Sequence, residues 1–148
     1  MMRRVLSVLV VFGAGCFGCL ACGSELPTPA TGAHQGTGVN PATMVSFPPP
    51  PARIECVPEQ PSEECLWVDG SWRWAGRRWE WIPGAWIEPP MGCYYAPAYA
   101  EWLSGGVTSD GERRDQLIYF PPAWYPNTQK GHCPRPRVCR QATPADEC

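Results

Sequence analysis

Between residues 65 and 88 the largest apolar side chain returns on a fixed beat. The stretch "WVDGSWRWAGRRWEWIPGAW", residues 67 to 86, holds six of the chain's eight tryptophans, spaced W-x4-W-x-W-x4-W-x-W-x4-W. A helical heptad is excluded, because Asp69-Gly70, Gly76 and Pro83-Gly84 would interrupt it repeatedly. Each W-x4-W unit has a two-residue turn signal at its centre instead: Asp69-Gly70, Gly76-Arg77 and Pro83-Gly84. Asp-Gly suits a type I′ turn and Gly-Arg a type II′ turn, whereas Pro-Gly prefers type II and predicts a bulged or open third hairpin. The expectation is an all-β fold, an antiparallel meander of short Trp-rich hairpins. Period-2 alternation and cross-strand pairing then put all six tryptophans on one side, with Trp67, Trp72, Trp81 and Trp86 in one row and Cys65, Trp74, Trp79 and Glu88 in the next. The other face carries Leu66, Arg73, Glu80 and Ile87, with Arg73 opposite Glu80.

The alternation returns in weaker form downstream. "YFPPAW", residues 119–124, copies "WIPGAW", residues 81–86, with Tyr for Trp and Pro for Gly. Ahead of it Asp110-Gly111 reads as a turn and Gln116 to Phe120 as a strand, pairing with part of 107–109 or 94–103. This predicts a second hairpin layer that covers the Trp face with Tyr94, Tyr95, Tyr99 and Trp102.

The N-terminus changes the picture from fold to location. In "MMRRVLSVLVVFGAGCFGCLACGS", Arg3 and Arg4 precede an apolar core, Val5 to Phe12, too short to span a bilayer unless extended through the Gly/Cys-rich stretch. Residues 1–21 read as an export signal. The segment also resembles a bacterial lipoprotein signal, in which a small residue precedes the Cys that is acylated. Cys22 is the expected acylation site, with Cys16 the alternative; both have small residues before them and lack the usual Leu, and an ordinary cleaved signal is the plainer reading. Beyond this region lie Cys56, Cys65, Cys93, Cys133, Cys139 and Cys148, an even set that an oxidising compartment converts to three disulfides. Lipidation at Cys22 leaves those six, lipidation at Cys16 frees Cys19 and Cys22 to pair, and lipidation at Cys19 strands a thiol. The local pairs Cys56–Cys65 and Cys139–Cys148 are expected, leaving Cys93–Cys133.

Composition divides the remainder. With 19 Pro and 15 Gly in 148 residues, the globular part is shorter than the chain. Residues 22–55 are rich in Pro, Gly and Thr, and Pro48 to Pro51 form an extended polyproline run, so the segment reads as a tether, a proline-rich ligand being the sharper alternative. His34 reads as solvated. Residues 56–148 then form the Trp-rich, Cys-rich β domain, with repeat core 65–88 and degenerate repeat 119–124. A net charge of −2 without a basic stripe gives no sign of a nucleic-acid partner.

"WRWAGRRWEWIPGAW" resembles the YXWGXW repeat family of bacterial envelope lipoproteins, closely over residues 67–86 and loosely over 119–124. The resemblance implies export and attachment to the bacterial cell envelope, at the outer membrane or the periplasmic face, and implies no biochemical activity. The chain departs from the pattern in using Trp where Tyr is usual, Asp-Gly in its first turn, and added cysteines.

Catalytic chemistry finds no footing in the sequence. His132 adjoins Cys133, assigned to a disulfide, and no second His in 56–148 completes a metal set or a nucleophile–base pair, so neither cofactor nor metal is expected. Among the carboxylates, Asp69 and Asp110 are turn residues, and Glu80, Glu88, Glu101, Glu112 and Asp115 read as solvated surface. Two non-enzymatic readings remain. One is a structural or protein-interaction lipoprotein whose Trp row is core. The other is a glycan-binding module, for peptidoglycan or surface polysaccharide, in which part of the row lies open and Arg77, Arg78 and Glu88 supply hydrogen bonds from its rim.

Overall fold

The computed structural model describes residues 25–36, 42–106, 109–112, 114–128 and 131–145. The export-type segment with Cys16 and Cys22, and Cys148, lie outside the described residues. The fold is all-β: β1 Thr43–Val45, β2 Glu55–Cys56, β3 Leu66–Val68, β4 Ser71–Trp74, β5 Trp79–Ile82, β6 Ala85–Glu88, β7 Cys93–Ala96, β8 Tyr99–Leu103, β9 Gln116–Phe120, β10 Ala123–Pro126, β11 Arg137–Gln141 and β12 Thr143–Pro144.

Gly76-Arg77 closes a tight hairpin, with the Ala75 amide donating to the Arg78 carbonyl at 2.8 Å and Gly76 at φ 82°, as the first central residue of a type II′ turn requires. Strands β4 and β5 pair in the expected register: Trp72 opposite Trp81, Arg73 opposite Glu80, Trp74 opposite Trp79. The other two turns do not form. Strand β3 pairs with β6, Trp67 opposite Trp86, so the same register runs on through Asp69-Gly70 and Pro83-Gly84 as one long hairpin ribbon. Trp67, Trp72, Trp81 and Trp86 therefore do not form one row across four strands. The physical reason lies at the glycines, since Gly70 and Gly84 are not among the glycines with positive φ, which types I′, II and II′ all demand.

A second ribbon repeats this plan. Strand β7 pairs with β10 and β8 with β9, again in one register, broken where Pro97 and Pro121-Pro122 cannot donate to the ladder. The strand predicted over Gln116–Phe120 is β9. In this ribbon "YAPAYA", residues 95–100, faces "YFPPAW", residues 119–124, with Tyr95 opposite Trp124 and Tyr119 opposite Ala100. Strand β1 adds to the free edge of β9.

Five of the six repeat tryptophans divide between two cores. Trp79 packs with Tyr119, Leu117 and Val45, with Trp72 and Trp74 against them, where the two ribbons meet. Trp67 and Trp86, at 3% and 2% exposure, pack with Cys65, Cys139 and Ala142. The cover over the first core is supplied by Tyr119, whose ring lies 4.9 Å from that of Trp79. Of the residues expected to cover it, Tyr94 packs with Tyr125 in a third cluster and Trp102 is 62% exposed.

Cys65 is bonded to Cys139, and Cys93 to Cys133. The local pairs Cys56–Cys65 and Cys139–Cys148 are thereby replaced. Strand β6 lies between β3 and β11, and a bulge between Val138 and Arg140 falls at Cys139, so sheet order decides the pairing over sequence proximity. Cys56 is also disulfide-bonded.

Candidate functional site

Where it is described, the segment read as a tether is folded onto the ribbons. The Pro27 carbonyl accepts from the Trp67 amide, and residues 30–32 run beside Tyr95. His34, expected to be solvated, sits among the rings of Tyr99, Phe120 and Tyr125 and holds the Pro97 carbonyl through Nε2 at 2.8 Å.

From Phe47 to Pro58 the chain forms a strap over the tryptophans. Trp79 Nε1 donates to the Phe47 carbonyl (3.2 Å), Trp72 Nε1 to Pro51 (3.1 Å) and Trp86 Nε1 to Pro58 (2.7 Å). Trp81 Nε1 donates to Glu55 Oε1 (2.6 Å). The chemistry is complementary: an indole N–H can only donate, and an extended proline run offers carbonyl acceptors without competing amides. Arg53 caps the arrangement with its guanidinium 5.0 Å from the Trp72 ring centroid, and Phe47 meets Trp74 edge-on at 5.2 Å.

Beneath the strap the ribbon closes by three cross-strand Trp pairs, all edge-to-face: Trp67 with Trp86 at 5.5 Å, Trp72 with Trp81 at 5.1 Å and Trp74 with Trp79 at 5.0 Å. "WVDGSW" and "WIPGAW" face each other head to tail, and the first Trp of each lies across the glycine of the other. A Cβ on Gly84 would stand 2.7 Å from Trp67 Cζ2, and a Cβ on Gly70 would collide with Trp81 Cζ2. The two copies differ at their third position. Asp69 accepts from Trp67 Nε1 at 2.7 Å, whereas Pro83 has no such group, and Glu55 of the strap serves Trp81 instead. Glu55 Oε2 also accepts from the Gly84 amide at 2.9 Å, so one carboxylate bridges an indole and a backbone donor at the centre of the pair.

Beside this clasp opens a groove of about 570 Å³ lined by Arg53, Ile54, Glu55, Trp81, Pro83 and Pro144. On the opposite face of the ribbon Glu80 takes Arg73 and Arg78, whose hydrogen bonds hold its carboxyl below the usual range. Burial pushes the Tyr95 phenol up to about 12, with Tyr119 and Asp69 adding to the shift, and burial also takes Tyr119 up to about 12. Tyr119 donates to the Trp72 carbonyl at 2.6 Å and so ties the second ribbon to the first. Among the described residues no group of three or more His, Cys, Asp or Glu could hold a metal ion.

Of the residues singled out from sequence, the structure joins all six repeat tryptophans in one ribbon but packs five of them into two cores and leaves Trp81 partly buried beside the groove. Arg77 and Arg78 are exposed at the hairpin tip, and Glu88 lies at the other end, held by Arg137. They do not share a rim. Glu55 and the strap carbonyls were not singled out. The available signal was the absence of any local side-chain acceptor for Trp81 in "WIPGAW".

No curated protein and no solved structure matches the chain. A family model does match, the WXXGXW repeat, in two copies over residues 66–86. Those are the two stretches that close on each other, and over residues 66–86 the chain carries two copies of the WXXGXW repeat.

Proposed function

We propose that the protein is a non-catalytic, membrane-anchored lipoprotein of the bacterial cell envelope with a structural or protein-interaction role. The observation that carries this reading is the use of the tryptophans: three are buried outright, and five of the six repeat indoles have their N–H groups taken, four of them by the strap. Rings committed in this way serve as the core of a small domain poor in aliphatic residues. The sequence supports the anchor, through the export-type segment and Cys22 or Cys16. Acyl chains gain about 0.8 kcal/mol per buried CH₂, and more than one chain holds a protein stably at a membrane.

A second reading, glycan binding, is favoured by one observation: Trp81 is only partly buried and lines the groove beside Arg53. Fractionation of cells expressing the full chain with Cys22→Ser, Cys16→Ser or both tests the anchor. Loss of membrane association with one single substitution is expected, and a double variant that remains membrane-bound contradicts the lipoprotein reading. Retention of the folded domain on peptidoglycan, abolished by Trp81→Ala, would favour the second reading over the first.

A further inference from the structure

The glycines of the two repeat copies enclose more than tryptophan rings. A Cβ on Gly70 would stand 2.6 Å from Glu55 Oε2 and a Cβ on Gly84 3.0 Å from it, so both positions must lack a side chain for the carboxylate to enter. The oxygens that enter meet two donors fixed by the ribbon itself, Gly84 N at 2.9 Å and Trp81 Nε1 at 2.6 Å. Among the described residues neither donor has a second acceptor. The Gly84 amide lies where the pairing between β3–β6 and β4–β5 is interrupted, and the third position of its own copy is Pro83, which offers Trp81 no side-chain acceptor. Asp69 shows the contrast, since it occupies the same place in the other copy and satisfies Trp67 locally.

We propose that the paired WXXGXW copies form a carboxylate receptor, filled in this chain by Glu55 and open to an external carboxylate when Glu55 is withdrawn. Two donors held by a rigid ribbon match the two oxygens of one carboxylate, and charge-assisted hydrogen bonds of this kind are roughly twice as strong as neutral ones. Glu55 arrives on the strap, and the groove of about 570 Å³ beside it gives a second carboxylate a way in. Arg53, on the lip of that groove, is a cation suited to the same ligands. The inference concerns the repeat pair alone and does not depend on membrane attachment, so it stands or falls separately from the anchor.

The test is chemical rescue in the full chain with Glu55→Ala. Sodium acetate is titrated at constant ionic strength against sodium chloride, and thermal unfolding is followed together with the amide resonance of Gly84 and the indole resonance of Trp81. Acetate is expected to raise Tm by several degrees with saturation in the millimolar range and to move those two resonances first, while chloride and the wild-type chain show neither effect. Glu55→Gln, which keeps the notch filled, is expected not to respond. If Glu55→Ala does not fold alone, the yield of disulfide-bonded protein on refolding should be restored by acetate and not by chloride. Glucuronate and N-acetylglutamate then separate the sources: tighter binding of the first assigns sugar acids, of the second acidic peptides. The proposal is overturned if acetate acts no differently from chloride, if the wild type responds equally, or if uncharged glucose moves the same resonances.

Discussion

Gly84→Ala and Gly76→Ala are the same chemical change with different physical consequences. At Gly84 the new Cβ would lie 2.7 Å from Trp67 Cζ2, 3.0 Å from Glu55 Oε2 and 3.0 Å from Gly70 N, and two of those neighbours cannot yield without opening the clasp. Overpacking of that kind costs about 1–3 kcal/mol, offset by about 0.4–1 kcal/mol because Ala stiffens the unfolded chain, so a net loss of about 1–2 kcal/mol is expected. At Gly76 a Cβ meets nothing within 4 Å, but φ is 82°. Left-handed backbone costs an L-residue about 1–2 kcal/mol, and the same offset leaves about 0.5–1 kcal/mol. Asn separates the causes, because it tolerates left-handed backbone yet is larger than Ala. Urea unfolding followed by Trp fluorescence, with disulfides intact, should find Gly76→Asn milder than Gly76→Ala and Gly84→Asn worse than Gly84→Ala. Trp67→Phe removes Cζ2, so its combination with Gly84→Ala should be less destabilised than the sum of the two. Equal, mild effects of Asn at both sites would refute the claim that ring and carboxylate contact fixes the repeat glycines.

Alkaline stability follows from the buried phenols. The folded chain holds the Tyr95 and Tyr119 protons to about pH 12, while unfolded tyrosine releases its proton near 10. The stability they contribute is therefore complete below about pH 10 and is lost as pH rises toward 12; a pH titration of Trp fluorescence against phenolate absorbance should show unfolding in that window, with no phenolate from these two residues before it. Tyr119→Phe keeps the ring against Trp79 and removes the bond to the Trp72 carbonyl, for an expected loss of about 1 kcal/mol in denaturant unfolding. Replacing Cys65 and Cys139 together by Ala opens a loop of sequence separation 74 and should cost about 4 kcal/mol, and the Cys93–Cys133 pair, separation 40, slightly less by the same measurement.

The sequence was legible where a pattern had one physical meaning. Gly76-Arg77 at the centre of "WAGRRW" leaves only a tight hairpin, and β4, β5 and their register follow from it. The spacing of the six tryptophans reads the same from either end about this turn, so one long hairpin and three short ones pair rings equally well. What separates them is the place of glycine in each unit: fourth in "WVDGSW" and "WIPGAW", third in "WAGRRW". The third-position glycine supplies positive φ, and the fourth-position glycines supply room. Composition misread the strap. Prolines that mark a spacer also present unopposed carbonyls, and only the fold brings donor-only indoles within reach of Pro51 and Pro58. The Cys65–Cys139 bond was out of reach for a similar reason, since it depends on β11 joining the far side of β6.

The central claim is that the repeat tryptophans form a strapped core. Oxidation of the native chain by N-bromosuccinimide, with each modified Trp located by peptide mass spectrometry over time, tests it directly. Trp102, 62% exposed, should react first, and Trp67, Trp79 and Trp86 should remain intact until the protein is denatured. Modification of Trp67 or Trp86 in the native protein as fast as Trp102 would contradict the account.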